Sequence, residues 1–147
     1  MAESKLRTLS VDFAVQILNL VKFLKSQHET IVSNQIGRAG TSIGANIHEA
    51  QYAHGKPDFI AKLQIALKEA SETSYWLELL LKTNYIDEAK YQELNNFCSQ
   101  IRVMLIKSII YLFFRFQGSK SSSGTFCIRR FNVSIEVASK KFPFSST

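Results

Sequence analysis

The chain has 147 residues, 46% hydrophobic and 20% charged, which is ordinary for one globular domain. Two cysteines are too few for a disulfide framework, and the longest strongly apolar run, Val103 to Phe114, is shorter than the roughly 20 residues that span a bilayer. The N-terminal residues contain no apolar signal region, so we expect a cytoplasmic protein without a membrane partner.

The formal net charge of +6 is unevenly distributed along the chain. Residues 1–112 carry 12 Lys and Arg against 11 Asp and Glu, whereas residues 113–147 carry six against one. Net charge bears on non-specific association rather than on the fold. An electrostatic function therefore depends on the C-terminal segment, or on charge segregated over the surface of a nearly neutral body.

Apolar residues recur at steps of three and four over residues 10–27, which predicts an amphipathic helix with Ser10 as its N-cap. Phe13, Leu20 and Phe23 lie off this pattern, and we interpret them as surplus apolar surface available to another subunit. The expected core positions are Val11, Ala14, Ile17, Leu18, Val21 and Leu24.

A second helical pattern covers residues 33–52, with Ser33 as the expected N-cap. Its core positions alternate steps of four and three, as in the seam of a helix bundle: Ile36, Gly40, Ile43, Ile47 and Ala50. Each glycine in a helix interior costs about 1 kcal/mol against alanine. Gly37, Gly40 and Gly44 therefore predict that a neighbouring helix approaches closely along this face.

Two longer helical patterns follow the turn at residues 54–57. The third helix is predicted over residues 57–82, with its seam at Ile60, Leu63, Leu67, Ala70, Ser74, Leu77 and Leu81. The fourth is predicted to begin after an Asp87 N-cap and to reach about Tyr111, with its seam at Tyr91, Leu94, Cys98, Ile101, Leu105 and Ile109. Further apolar residues widen the fourth seam, which is typical of a helix buried on more than one side.

Four helices with short connections predict an all-α fold, an antiparallel up-down-up-down four-helix bundle. We assign residues 1–117 to this bundle and residues 118–147 to a Ser/Gly-rich linker and basic tail. Residues 131–137 alternate in the manner of a strand, but one strand is not stable alone. A loosely ordered tail is favoured over an accessory strand that pairs elsewhere.

The sequence contains no arrangement typical of catalysis or metal binding. The three histidines, His28, His48 and His54, occur in neither HExxH nor Glu-x-x-His spacing, so neither a zinc nor a di-iron site is indicated. Cys98 falls on an apolar seam, where a packed thiol is favoured over a nucleophile. We therefore predict a protein that is not an enzyme and needs no cofactor.

A polar stripe shares one face of the second helix beside its apolar seam. With the turn centred near residue 55, Arg38 faces Glu72 and Ser42 faces Glu69 or Lys68 on the third helix. A structural ladder between helices is favoured, with a ligand-binding stripe and plain solvent exposure as alternatives. The ladder consists of Arg38, Ser42, Asn46, Glu49, Glu69 and Glu72.

These residues carry a resemblance to a known family. Residues 33–50, SNQIGRAGTSIGANIHEA, together with residues 58–77 and Asp12-Phe13-Ala14, resemble the bacterial four-helix-bundle proteins encoded within intervening sequences of 23S ribosomal RNA genes. The resemblance covers about residues 8–112. It implies a short-looped bundle that assembles as a ring-shaped homopentamer, similar to the accessory protein of diversity-generating retroelements, which binds nucleic acid and a reverse transcriptase.

The leading functional hypothesis is a non-enzymatic oligomer that associates with RNA or DNA through phosphate contacts. The alternative is an interaction scaffold that docks a partner enzyme, and salt dependence separates the two because phosphate binding weakens steeply with added salt. The predicted nucleic-acid-binding residues are Lys22, Lys25, Lys62, Arg102, Arg129, Arg130, Lys140 and Lys141.

Overall fold

A computed structural model describes the backbone of residues 4–117 and the side chains of residues 4–114. This part of the chain forms four α-helices: α1 (Lys5–Ser26), α2 (Ile31–Ala50), α3 (Lys56–Lys82) and α4 (Glu88–Gln117). One compact unit ends at Tyr111, and a second unit begins at Leu112, within α4. The predicted domain boundary after residue 117 lies at the limit of the described residues and stays a prediction, and so does the order of the tail.

The first compact unit is a four-helix bundle. α2 packs along both α1 and α3. The rings of Phe13 on α1 and Phe97 on α4 stack with centroids 5.9 Å apart, and the Cys98 thiol of α4 donates to the Ala70 carbonyl of α3 at 3.2 Å. Each helix therefore has two neighbours, and the short connections make consecutive helices antiparallel. The predicted all-α bundle is confirmed.

The buried face of α1 matches the predicted one only in part: Ile17 and Leu24 are buried as predicted. It begins at Lys5, so Ser10 is not an N-cap but a buried residue whose hydroxyl donates to the Arg7 carbonyl at 2.7 Å. Val11 and Leu18, expected in the core, are 53% and 47% exposed. The buried face consists of Leu6, Ser10, Phe13, Ile17, Leu20 and Leu24. Phe13 and Leu20, interpreted as surplus surface, are thus core residues, because the larger side chains fill the bundle interior.

The start of α2 also differs from the prediction. The helix begins at Ile31, and the buried Ser33 lies within it rather than at its cap. The Glu29 carboxylate accepts hydrogen bonds from the backbone N–H groups of Val32 at 2.8 Å and Ser33 at 2.7 Å. A carboxylate at this position satisfies amides that have no partner within the helix and complements the positive end of the helix dipole.

The predicted core positions of α2 and α4 are largely confirmed. All five on α2 are buried, and so are all those on α4 except Tyr91, which is half-buried. The Asp87 carboxylate caps α4 by accepting from the Lys90 N–H at 2.7 Å. On α3 three predicted core positions are buried, and the other four are half-buried. The buried face consists of Leu63, Ala66, Ala70, Thr73, Leu77 and Leu80.

The glycines of α2 let α1 approach closely, as predicted. A Cβ atom added at Gly40 would lie 2.8 Å from Cγ2, 2.9 Å from Cγ1 and 3.2 Å from Cβ of Ile17. At Gly37 the nearest atom would be Val21 Cγ2 at 3.2 Å, and at Gly44 it would be the Ser10 carbonyl oxygen at 3.5 Å. The contact is therefore tightest at Gly40, where a stiff β-branched side chain fills the space that a methyl group would need.

We predict opposite effects for two alanine substitutions on this face. Gly40→Ala should lower the free energy of unfolding by about 1–3 kcal/mol, because Ile17 cannot move away without disturbing the core. Gly44→Ala should raise it by up to about 1 kcal/mol, because the methyl group fits at ordinary contact distance and alanine favours the helix. Urea unfolding of both variants tests this, and a Gly40→Ala protein as stable as the parent would contradict the close-packing account.

Candidate nucleic-acid and partner surfaces

The described residues contain no group of three or more His, Cys, Asp or Glu side chains that could hold a metal ion. Cys98 is fully buried on α4, where its thiol donates to the Ala70 carbonyl. Burial raises the pKa of this thiol to about 12, and the nearby Arg102 charge lowers it only in part. The thiolate is the reactive form of cysteine, so Cys98 is a packed side chain rather than a nucleophile.

We predict that Cys98 is inert in the folded protein. A Cys127→Ser variant leaves it as the single thiol, and at pH 8 a thiol-reactive dye should label it only as fast as the bundle opens. Because the folded pKa exceeds the unfolded value of about 8.5, this thiol favours the folded state fully below about pH 8.5 and loses that contribution as the pH rises towards 12. Labelling in native buffer as rapid as in denaturant would contradict this.

The predicted ion pair between Arg38 and Glu72 is not formed. Arg38 is exposed, and no carboxylate lies within 4.0 Å of its guanidinium among residues 4–114. The Glu72 carboxylate instead accepts a hydrogen bond from Trp76 Nε1 at 3.2 Å, one turn along α3. A partner four residues away on the same helix is held in place by the backbone, so it competes well with a long side chain from α2.

The rest of the ladder is joined in two ways. Lys62 of α3 binds the Glu49 carboxylate of α2 at 2.6 Å, which raises the pKa of the lysine and confirms the expected register near the turn. Asn46 donates to the Ser42 carbonyl at 2.8 Å within α2. Glu69 is half-buried, and its backbone carbonyl accepts from the Thr73 hydroxyl at 2.8 Å. The stripe is thus linked mostly by local bonds, with one interhelical ion pair.

The predicted nucleic-acid-binding residues of the bundle lie on three different helices. Lys22 and Lys25 are exposed on α1, and neither has a carboxylate within 4.0 Å in the described part of the chain. Lys62 is engaged with Glu49. Arg102 is half-buried on α4, and its Nε atom is buried with no hydrogen-bond partner among the described residues. Four predicted residues, Arg129, Arg130, Lys140 and Lys141, lie outside the described residues.

α1 carries a second apolar stripe, and two of its residues, Val11 and Leu18, were predicted to lie in the core. Val11, Val15 and Leu18 are 53%, 50% and 47% exposed and lie opposite the buried face. Lys22 and Lys25 continue the same spacing of four and three. We call these five residues the α1 outer stripe. The sequence shows this spacing, but the buried stripe of α1 has the same period. The spacing alone therefore does not tell which stripe faces solvent.

α4 contains a long apolar stretch. Over Glu88–Phe114 it is long and apolar enough to cross a membrane by length and composition alone, and its most apolar stretch is only 22% buried in the bundle. Core helices of soluble proteins meet the same criteria. The longest strongly apolar run in the sequence did not indicate that α4 is long and apolar enough to cross a membrane, because that run is short and contains Lys107.

A shallow, mainly apolar cleft of about 370 Å³ lies between α1 and the turn that connects α3 to α4. It is lined by Asn19, Leu20, Phe23, Tyr85, Ile86, Asp87 and Lys90. The Lys90 ammonium pairs with Glu93 at 2.9 Å, and the Asp87 carboxylate caps α4. The charged groups at this cleft thus already bind within the bundle.

The comparisons with known proteins identify the family. The family model described as 23S rRNA-intervening sequence protein matches residues 3–107. The chain belongs to this family. The resemblance carried by residues 33–50 is thereby confirmed. The further similarity to the accessory protein of diversity-generating retroelements stays a prediction.

A solved structure is also similar to this chain. A crystal structure from Bacteroides thetaiotaomicron, described as a protein with unknown function from the S23 ribosomal protein family, shares 53% sequence identity and a TM-score of 0.70. The match covers 71% of this chain and 97% of that chain. No curated protein matches the chain. Neither the family description nor the relative's names a reaction, so the function must be argued from the surfaces of the bundle.

Proposed function

We propose that this family member is a non-enzymatic, oligomeric bundle that associates with RNA or DNA through phosphate contacts. The observation that carries this proposal is which lysines of the bundle are paired with carboxylates and which are not. Lys62, Lys82 and Lys90 are bound to carboxylates, whereas Lys22 and Lys25 are exposed on one face of α1 with no such partner among the described residues. Uncompensated lysines are the groups that contact phosphates and release counterions.

The distribution of charge along the chain supports the same function. Residues 113–147 supply six cations against one Glu, and these can add phosphate contacts to those of α1. An oligomer strengthens this arrangement, because each copy contributes its own Lys22 and Lys25, and several weak contacts on one nucleic acid bind together. A nearly neutral bundle can therefore present a strongly basic surface once it assembles.

The α1 outer stripe supports the oligomer. Its three apolar residues are about half exposed and occupy the middle of the helix, directly opposite the core. A contiguous apolar stripe at heptad spacing is typical of helix–helix association. We propose that this stripe packs against another copy of the chain, and that the assembly is the pentamer implied by the family resemblance.

Removing Lys22 and Lys25 should weaken nucleic-acid binding in a salt-dependent way. In Lys22→Gln/Lys25→Gln, the slope of log affinity against log salt should fall by about 0.9 per lost contact on duplex DNA or about 0.7 on single strands. Titrations of RNA and DNA at several salt concentrations give this slope. Lys82→Gln/Lys90→Gln is the matched control, because it removes the same charge from lysines that carboxylates already neutralise.

Equal effects of the two double variants would contradict the assignment, since the loss would then reflect net charge alone. Loss of binding without any change in slope would also contradict it, and would favour the alternative function. In that alternative the oligomer is a scaffold that docks a partner enzyme through the apolar part of the α1 outer stripe. Binding of that kind depends little on salt.

Disrupting the stripe should dissociate the oligomer. We predict that light scattering gives the parent protein a mass that is a multiple of the monomer mass. Val15→Ser/Leu18→Ser should shift this mass towards the monomer, with association weakened about tenfold or more, because two apolar side chains per interface are lost. Both positions face away from the core, so thermal unfolding of the variant should stay cooperative. A strictly monomeric parent protein would contradict this proposal.

A further inference from the structure

We propose that the nucleic acid is single-stranded, and that it binds at the end of the bundle that contains the turn between α2 and α3, with a base stacked on Tyr52. This end consists of residues 4–10, 44–67 and 101–111, and we call it the turn end. The inference rests on the proposed function, because it names the kind of nucleic acid that is bound and adds a surface to that of Lys22 and Lys25.

Contacts between the helices define which residues share the turn end. Three contacts fix the level of each helix against its neighbour: Gly44 with Ser10, Glu49 with Lys62, and Cys98 with Ala70. Because neighbouring helices are antiparallel, these contacts bring the start of α1, the end of α2, the start of α3 and residues 101–111 of α4 to the same end.

Positive charge is concentrated at the turn end. This end carries six Lys and Arg against two Asp and Glu, whereas residues 11–43 and 68–100 carry six against eight. Both carboxylates of the turn end are already engaged, Glu49 by Lys62 and Asp58 by the backbone N–H of His54 at 3.2 Å. A bundle that is nearly neutral in total therefore has one positive end, which attracts phosphates. The six cations are Lys5, Arg7, Lys56, Lys62, Arg102 and Lys107.

Two of these cations are available to a ligand near Tyr52. Lys5 and Lys107 are exposed, and neither has a carboxylate within 4.0 Å among residues 4–114. The register of the helices places Lys5 of α1 and Lys107 of α4 level with residues 49–50 of α2. Tyr52 follows two residues later, so both lysines lie within about one helical turn of its level along the bundle axis.

Tyr52 supplies the aromatic ring that distinguishes a single strand from a duplex. Its side chain is 73% exposed, and its ring meets that of the exposed His48 edge-to-face, with centroids 5.4 Å apart. One edge-to-face contact leaves a ring face for a base. Single strands bind where cations that contact the backbone surround aromatic rings that stack on bases, whereas the bases of a duplex are already paired and stacked on each other. An exposed tyrosine at the positive end of the bundle matches the single strand.

Fluorescence anisotropy with the full-length protein tests the inference, using oligouridine, oligodeoxythymidine and a DNA duplex of equal length. The parent protein should bind the single strands at least about fivefold more tightly than the duplex. Tyr52→Ala should weaken single-strand binding about tenfold and leave the salt slope unchanged, because a ring releases no counterions. Tyr52→Trp keeps a stacking ring and should bind as tightly as the parent. Lys5→Gln/Lys107→Gln should lower the slope on single strands by about 0.7 for each lost contact.

Tyr75→Ala is the matched control. Tyr75 is 56% exposed and meets the Trp76 ring edge-to-face at 4.9 Å, but it lies on α3 outside the turn end, where carboxylates outnumber cations. This variant should bind like the parent, and thermal unfolding of both alanine variants should match that of the parent, since both rings are mostly in solvent.

The outcomes separate this inference from the proposed function. If Tyr52→Ala binds single strands as tightly as the parent, or weakens single-strand and duplex binding equally, the inference is wrong. The proposed function would still stand in that case, provided that Lys22→Gln/Lys25→Gln lowers the salt slope. A parent protein that binds none of the three probes would overturn both.

Discussion

The close approach of α1 and α2 is the contact on which the rest of this bundle depends. At Gly40 the backbone of α2 lies against the side chain of Ile17, at a distance that leaves no room for a Cβ atom. A helix-interior glycine is costly by propensity, and at Gly40 the close packing against Ile17 offsets that cost. By fixing how α1 is rotated against α2, this contact decides which side chains of α1 enter the core and which form the outer stripe.

The sequence predicted the fold, the family and most of the core, and its errors have physical causes. α2 and α4 each have one dominant apolar seam, so periodicity identified Ile36, Ile43, Leu94 and Ile101 correctly. α1 carries two apolar seams of equal period, and periodicity cannot tell which one faces inward. The deciding quantity is how Ile17 fits against Gly40, which is a property of two helices rather than of either sequence segment.

The candidate sites were less predictable, because side-chain pairing depends on which of several partners is nearest. The register between α2 and α3 was predicted well enough for Glu49 to meet Lys62, since both lie near the short turn. Farther along, Glu72 binds Trp76 on its own helix rather than Arg38. Exposed positions such as Val15 and Val103 are harder still to predict, because a residue can be assigned to solvent only after all core positions are known.

The two faces of α1 also define the nearest competing structure of this protein. A bundle with α1 rotated by about half a turn would bury Val11, Val15 and Leu18 and expose Phe13, Ile17 and Leu20, but it would also turn Lys22 and Lys25 towards the core. The native arrangement is favoured because it keeps these two lysines in solvent, fits α1 against the glycines of α2 and stacks Phe13 on Phe97. A substitution at Gly40 therefore acts on the uniqueness of the fold as well as on its stability, and would favour an ensemble of helix rotations over one native state.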